Sequence, residues 1–288
     1  MRVDLLAGTA YRPAAMPDAR PTILVLDSGL GGLTVLSEAV KARPDARFVY
    51  AADDAAFPIG QMPETKLVER VLAVMERLVG VFQPDMVVIA CNTWSTVALP
   101  PLRKRFSIPF VGTVPAIKPA AQASRSGRIT VLATPGTVAR DYTRDLIETF
   151  AAGCAVNLVG SKRLASMAEA ELAGTPVPDG DLVAELAPCF VADEAGRTDV
   201  VVLACTHYPL LLPRLQALAP WPVTWIDPAP AIARRMAQLI GPPVAAPHDH
   251  GTEGVFTGGG SLTPSLRDAL VRRGLTRVRV EPIPFHRL

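Results

Sequence analysis

Two cysteines in this chain stand in the same pattern of residues. Cys91 follows the apolar run 87–90, Cys205 follows the run 200–204, and polar residues come after both. The two cysteines are separated by about the length of one small domain. We therefore predict two related halves whose thiols face a shared pocket. Two opposed acid–base groups are what inversion of a carbon beside a carboxylate requires, because one removes a proton from one face and the other returns a proton to the opposite face.

The predicted position of each thiol favours chemistry over packing. Ligands of parallel α/β sheets bind beyond the carboxyl ends of the strands, and a helix that starts just after a thiol is expected to lower its pKa from about 8.5. A lone buried cysteine is more often a small apolar residue, which is our interpretation of Cys154 and Cys189. The repeated pattern reverses that preference for Cys91 and Cys205.

A glycine-rich turn after the first apolar run is a further candidate site. The run 23–26 leads into the segment 27–32, Asp-Ser-Gly-Leu-Gly-Gly, and a helical pattern follows. Unpaired N–H groups at such a helix start favour anions. The glycine spacing fits neither a dinucleotide-binding turn nor a phosphate-binding P-loop, so we exclude both.

The composition indicates a globular protein without a metal framework. The 288 residues are 49% hydrophobic and 19% charged, with a net charge of +2, which is unlike a disordered chain. The basic group 103–105 is predicted to be a solvated helix end rather than a nucleic-acid surface. The four cysteines contain no CxxC pair, which argues against a zinc site and favours free thiols in a reducing compartment. His248 and His250 are alternative metal ligands, but an exposed polar loop explains them more simply.

The ends of the chain and its apolar runs bear on its location. Residues 1–20 are predicted to be a flexible tail whose apolar part is too short for a secretory signal. No apolar stretch approaches the length of about 20 residues that spans a bilayer. We therefore expect a cytoplasmic protein with neither a membrane nor a nucleic-acid partner.

Apolar runs alternate with helical patterns along the chain, which predicts an α/β protein with mostly parallel sheets flanked by helices. The pattern restarts at residue 129. This predicts two pseudo-symmetric lobes with the active site between them, residues 21–114 plus 227–288 forming the first and 115–226 the second. We expect the C-terminal strand 278–280 to join the first sheet and the stretch 241–260 to be a loop. Pro100 and Pro101 are expected to end or kink the helix after Cys91.

The chain resembles the cofactor-independent glutamate racemases of the aspartate/glutamate racemase superfamily. The matching stretches are Asp27-Ser28-Gly29-Leu30-Gly31-Gly32-Leu33-Thr34, Phe57-Pro58-Ile59-Gly60, Cys91-Asn92-Thr93, Thr134 with Thr137, and Ala204-Cys205-Thr206-His207-Tyr208-Pro209-Leu210-Leu211. Together they extend over most of the chain between residues 23 and 227.

This resemblance implies interconversion of L- and D-glutamate by two-cysteine proton transfer, without pyridoxal phosphate or a metal. Cys91 would act on D-glutamate and Cys205 on L-glutamate. Asp27 and His207 would assist the thiols, and Glu169 would be a further site carboxylate. The implied substrate-binding residues are Ser28, Ile59, Gly60, Asn92, Thr93, Thr134, Thr137 and Thr206. A homodimer is also implied, as is a product, D-glutamate, that enters peptidoglycan and so supports cell shape.

Alternative interpretations remain for several of these residues. Asp27 is also explained as a helix cap, His207 as a hydrogen-bonded interior histidine, and Glu169 as a residue on a solvated helix face. Ile59 stands where the family usually has tyrosine. Its missing hydroxyl keeps open a racemase for aspartate or hydantoins, or a non-catalytic protein that binds an acidic amino acid. An arylmalonate decarboxylase is disfavoured because it keeps only one of the two thiols. Trp94 replaces a smaller residue, and either reshapes the pocket wall or packs against the other lobe.

Overall fold

The structure is a computed structural model that describes residues 20–60, 62–194, 196–244, 251–260 and 262–283. The predicted tail (apart from Arg20) and both His248 and His250 lie outside the described residues. In chain order the strands are β1 (Thr22–Asp27), β2 (Arg47–Ala52), β3 (Met86–Ile89), β4 (Phe110–Gly112), β5 (Arg128–Ala133), β6 (Ala155–Gly160), β7 (Ala192–Asp193), β8 (Gly196–Arg197), β9 (Val200–Ala204), β10 (Thr224–Ile226), β11 (Thr252–Phe256) and β12 (Leu275–Val280).

Helices follow most of these strands. They are α1 (Leu33–Ala42), α2 (Glu64–Phe82), α3 (Asn92–Arg105), α4 (Ile117–Ala123), α5 (Pro135–Val138), α6 (Asp141–Phe150), α7 (Leu164–Leu172), α8 (Asp179–Leu186), α9 (Leu212–Leu218), α10 (Ala229–Ile240) and α11 (Pro264–Arg272). Short 3-10 turns span Ala187–Cys189 and Tyr208–Leu211. Among the described residues no helix combines the length and the hydropathy of a membrane span.

Two parallel sheets organise the molecule, which confirms the predicted fold class. The first has the strand order β12-β11-β2-β1-β3-β4 and the second the order β10-β9-β5-β6. Every recorded pairing within these two sheets is parallel. The C-terminal segment thus joins the first sheet. The short strands β7 and β8 form a separate antiparallel ribbon.

The first sheet is covered by helices on both faces because its central strands are apolar throughout. Ile23 and Val25 of β1 pack into a core shared with α1, α10 and α11, while Leu24 and Leu26 point the opposite way, toward α2 and α3. This alternation follows from the two-residue period of a strand. Full burial of each such side chain contributes about 1.5–3 kcal/mol. The second sheet is likewise packed between α7, α8 and α9 on one face and α4 and α6 on the other.

One local prediction was wrong, and a second, that Pro100 and Pro101 would end or kink their helix, fails in its first alternative. The stretch expected to be a loop contains β11, which pairs with β2 in the first sheet; its Glu253-Gly254 pair hides the strand pattern, and the pairing partner is distant in sequence. The prolines at positions 100 and 101 do not end α3, which continues to Arg105. Leu99 and Leu102 are buried on either side of them, so tertiary packing keeps this segment helical despite the lost N–H donors.

Candidate active site

One cavity lies at the carboxyl ends of strands from both sheets. It has about 590 Å³ of empty volume, part of it open to solvent. Cys91 comes two residues after β3, and Cys205 directly follows β9. Both thiols line this cavity, as do several other residues singled out in the sequence: Ser28, Ile59, Gly60, Asn92, Thr93, Thr134, Thr206 and His207. Strands of two different sheets therefore bring both cysteines to the same space.

Asp27 lies behind the cavity wall rather than in it. The residue is fully buried, and its carboxylate accepts the N–H groups of Ser28 (2.6 Å) and Gly32 and the hydroxyl of Thr206 (3.3 Å). Burial raises the pKa of Asp27, against the opposing influence of His207 and the N–H donors. The carboxylate thus organises the glycine-rich turn and also contacts the other lobe.

Cys91 is connected to this carboxylate through a hydroxyl. Ser28 Oγ lies 3.6 Å from Cys91 Sγ and donates to Asp27 Oδ1 at 3.3 Å. Burial, and then the nearby charge of Asp27, raise the pKa of the Cys91 thiol, although the Trp94 N–H at the start of α3 opposes them. The expected lowering of this pKa was therefore wrong, because loss of hydration outweighs the helix terminus.

Cys205 belongs to a chain of polar groups. Its Sγ lies 3.7 Å from His207 Nδ1, while His207 Nε2 lies 2.8 Å from Glu169 Oε1. Burial by itself lowers the pKa of His207, but the hydrogen bonds that its ring donates to Cys205 and Glu169, with the charges of Cys205 and Asp27, together raise it well above 6.5. Since Glu169 is the partner of Nε2, Nδ1 is the atom placed to exchange a proton with the thiol.

Glu169 is not a residue of a solvated helix face. Its carboxylate also accepts the Leu30 N–H at 2.8 Å, so that α7 of the second lobe is tied to the glycine-rich turn of the first. Like Asp27, Glu169 is absent from the cavity wall. It contacts His207 from behind, which places it one step away from any substrate.

Hydroxyl and backbone groups join the two lobes around the cavity. Thr93 Oγ1 and Thr134 Oγ1 are 3.1 Å apart, and Thr137 Oγ1 lies 3.1 Å beyond Thr134, behind the wall. The carbonyl of Gly60 accepts the Gly136 N–H at 3.0 Å. These contacts hold the cavity-lining loops of one lobe against those of the other.

Asn92 has an unsatisfied amide. It is buried and lines the cavity, yet neither its Nδ2 nor its Oδ1 has a hydrogen-bond partner within the described part of the chain. A buried polar group without a partner costs about 1–3 kcal/mol. A bound polar ligand would remove that cost.

The two departures from the family pattern occupy different places. Ile59 is buried, lines the cavity and packs into the core of the first lobe beneath α2 and α3. Trp94 is fully buried in that same core and is absent from the cavity wall. It therefore neither reshapes the wall nor packs against the second lobe, because its position on α3 points it into its own lobe.

Sequence patterns missed several contributors to the site. Phe57, whose ring stacks on that of His207 at 5.3 Å, lines the cavity with Ser161, Lys162 and Ser166. The loop that carries Phe57 begins at Asp53, a buried carboxylate paired with Arg70 (Nε to Oδ2, 2.8 Å). Asp53 stands just beyond β2 as Asp27 ends β1, and that shared strand-end position was an available signal.

Glu169→Gln is expected to weaken the pH-dependent stabilisation that His207 provides. Glutamine keeps the shape but loses the charge, so the pKa of His207 falls toward its ordinary value of 6.5. A histidine with a raised pKa in the folded state stabilises the protein fully below pH 6.5, and the stabilisation is lost as pH rises through the folded-state pKa. The free energy of unfolding, measured with urea, should therefore fall further below the native value in the variant at about pH 6 than at about pH 10.

Glu148→Gln is the matched control, since Glu148 is an exposed glutamate on α6. The free energy of unfolding of this control should be close to the native value at both pH values. If the free energy of unfolding lost in Glu169→Gln is the same at both pH values, the Glu169 carboxylate does not stabilise the protonated form of His207.

Comparison with known proteins identifies the family. Residues 26–236 match the family model for Asp/Glu/Hydantoin racemase. A glutamate racemase of Brucella anthropi is 55% identical over 232 residues, which cover 80% of this chain and 84% of that protein. A glutamate racemase of Agrobacterium fabrum is 53% identical over 247 residues, which cover 85% of this chain and 90% of that protein. The crystal structure of Escherichia coli glutamate racemase with L-glutamate and the activator UDP-MurNAc-Ala superposes with a TM-score of 0.83 at 39% identity, covering 92% of this chain and 99% of that one.

The chain therefore belongs to the Asp/Glu/Hydantoin racemase family. It is an amino-acid racemase, an isomerase, as the sequence resemblance predicted. In the part of the chain that the structure describes, no group of three or more His, Cys, Asp or Glu side chains is arranged to hold a metal ion.

Proposed function

We propose that this protein is a glutamate racemase that interconverts L- and D-glutamate by proton transfer between two cysteines. The observation that carries the proposal is that Cys91 and Cys205 line one cavity from two different sheets. The substrate assignment is supported by the curated glutamate racemases that share more than half of their aligned residues with this chain.

The L-to-D direction begins at Cys205. Its thiolate removes the α-proton of L-glutamate, so the C–H bond breaks, an S–H bond forms, and the electron pair is delocalised into the α-carboxylate. The Cys91 thiol then donates its proton to the opposite face. The raised pKa of Cys91 supports this role, since it keeps that group protonated until the carbanion forms. His207 Nδ1, 3.7 Å from Cys205, relays the proton that resets this thiol.

The D-to-L direction uses the same groups in reverse. Cys91 must then lose its proton before it can act as the base. Ser28 bridges Cys91 to Asp27, and the raised pKa of Asp27, caused by its burial, makes the carboxylate a better proton acceptor than an exposed aspartate. We assign Asp27 and His207 as the groups that assist Cys91 and Cys205, and Glu169 as the residue that positions His207.

Polar residues in and behind the wall bind the substrate or support its binding. The unsatisfied Asn92 amide and the Ser28, Thr93, Thr134 and Thr206 groups offer hydrogen bonds to carboxylates and the ammonium group. Thr137 supports Thr134 from behind, Gly60 contributes backbone, and Ile59 contributes an apolar surface.

We further propose a homodimer in the cytoplasm that supplies D-glutamate for peptidoglycan. Support comes from the resemblance to glutamate racemases. The four cysteines are free, and two-thiol catalysis requires a compartment that keeps thiols reduced.

Incubation of the purified protein with L-glutamate in deuterated water, without added cofactor, tests the function. Deuterium should enter the α-position as D-glutamate accumulates, followed by NMR and chiral chromatography. Exchange with aspartate but not glutamate would reassign the substrate. Binding of glutamate without exchange would instead indicate a non-catalytic binding protein and overturn the proposal.

A further inference from the structure

Lys162 lines the active-site cavity from the second lobe, in the loop between β6 and α7. Among the described residues that form the wall, only Lys162 and His207 carry basic side chains, and His207 already pairs with Glu169. Lys162 itself is exposed and makes no hydrogen bond or ion pair with any other described residue. Its ammonium group is therefore available to a ligand.

The backbone that carries Lys162 is held in place. Ser161 is buried; its hydroxyl donates to Glu185 Oε2 at 2.5 Å and accepts the Leu164 N–H at 3.0 Å. Gly160 lies so close to Pro135, another wall residue, that an added Cβ would stand 3.1 Å from the Pro135 Cα. The loop is thus fixed on both sides of position 162, while the lysine side chain remains free to reach the cavity.

The acidic groups behind the cavity wall favour a further cation, although His207 already pairs with one of them. Asp27 and Glu169 lie directly behind the wall, so a substrate with two carboxylates enters a region already rich in acidic groups. Like charges repel more strongly where solvent is excluded. On the proposed function the α-carbon stands between Cys91 and Cys205, which are buried, whereas Lys162 is an exposed residue of the same wall. A side-chain carboxylate that reached Lys162 would therefore extend from the two sulfurs toward solvent.

We propose that the Lys162 ammonium pairs with the side-chain carboxylate of the substrate, and that it thereby helps to select acidic amino acids. This inference rests on the proposed racemase function. Lys162 is a binding residue on this proposal, and it takes no part in proton transfer.

Lys162→Met is the test, because methionine keeps the apolar length of the side chain and removes its charge. The KM for glutamate should rise about three- to fivefold, the effect of one partly exposed ion pair, while kcat changes by less than about twofold. Added salt should raise the native KM and leave the variant nearly unaffected. Lys162→Arg should restore most of the lost affinity.

Arg163→Met is the matched control. Arg163 is the next residue, is absent from the cavity wall and pairs with Asp181 at 3.0 Å, so its loss should leave KM unchanged. If Lys162→Met keeps the native KM and salt response, or if Arg163→Met has the same effect, the inference is overturned while racemisation stands. Absence of α-deuteration of glutamate in the native protein would instead overturn the proposed function itself.

Discussion

Cys91→Ala and Cys205→Ala are each expected to lower the kcat of glutamate racemisation by about 10²–10⁴-fold, the usual contribution of a positioned acid or base. On the proposed mechanism, each variant keeps one thiol on one face of the α-carbon. That remaining thiol can still remove a proton and return one to the same face. Loss of racemisation should therefore be accompanied by retained hydrogen exchange in one enantiomer only.

The enantiomer should depend on the variant. Cys91→Ala retains Cys205 and should exchange the α-hydrogen of L-glutamate in deuterated water without forming the D-isomer. Cys205→Ala should show the opposite preference. NMR of each pure enantiomer measures the exchange of its α-hydrogen, and chiral chromatography of the products measures how much of the opposite enantiomer forms.

Cys154→Ala is the control for these substitutions. Cys154 is half-buried beside the second-lobe core and lines no part of the cavity, so racemisation should be unchanged. A Cys91 or Cys205 variant that racemises glutamate within about tenfold of the native rate would remove that thiol from the mechanism.

Gly31→Ala is expected to cause the second large loss of racemase activity, because the added methyl group would collide with His207. A Cβ at this position would lie 2.5 Å from both the backbone N and the Nδ1 of His207, closer than nonbonded atoms approach. The turn or the histidine must therefore shift, and a shift of about 1 Å can cost about 100-fold in rate. We expect kcat to fall by about that factor and the free energy of unfolding to fall by about 1–3 kcal/mol.

Gly80→Ala provides the comparison. Gly80 lies within α2, and an added Cβ there would meet no atom within 4 Å. Because alanine favours the helix, this variant should gain about 0.5–1 kcal/mol of stability at native activity. Urea unfolding and the racemisation rate distinguish the two glycines. Native kcat in Gly31→Ala would show that the turn and His207 tolerate separation.

Local patterns in the sequence were sufficient for the fold class and for the two cysteines with their polar neighbours. Other residues of the cavity wall, among them Gly60, Thr134 and His207, came only from the family resemblance. Apolar runs predict buried parallel strands, and the carboxyl ends of such strands are where ligands bind. The repeated Ala-Cys pattern therefore selected Cys91 and Cys205 from four cysteines. The glycine-rich turn after Asp27 was found because it follows an apolar run and precedes a helix. Only the structure shows that Gly31 lies against His207, where a side chain would not fit.

Only the tertiary structure decided the features that depend on residues far apart in the chain. β11 is a strand because β2 and β12 supply its pairing partners, and α3 passes through two prolines because its leucines are buried. The pKa of the Cys91 thiol is raised rather than lowered because burial removes more hydration than the start of α3 returns. Lys162 reaches the cavity only because the second lobe packs against the first. The periodicity and spacing of residues indicate which face of its own helix or strand a residue occupies. Its solvent exposure and the charges around it are set by elements that are far apart in the chain.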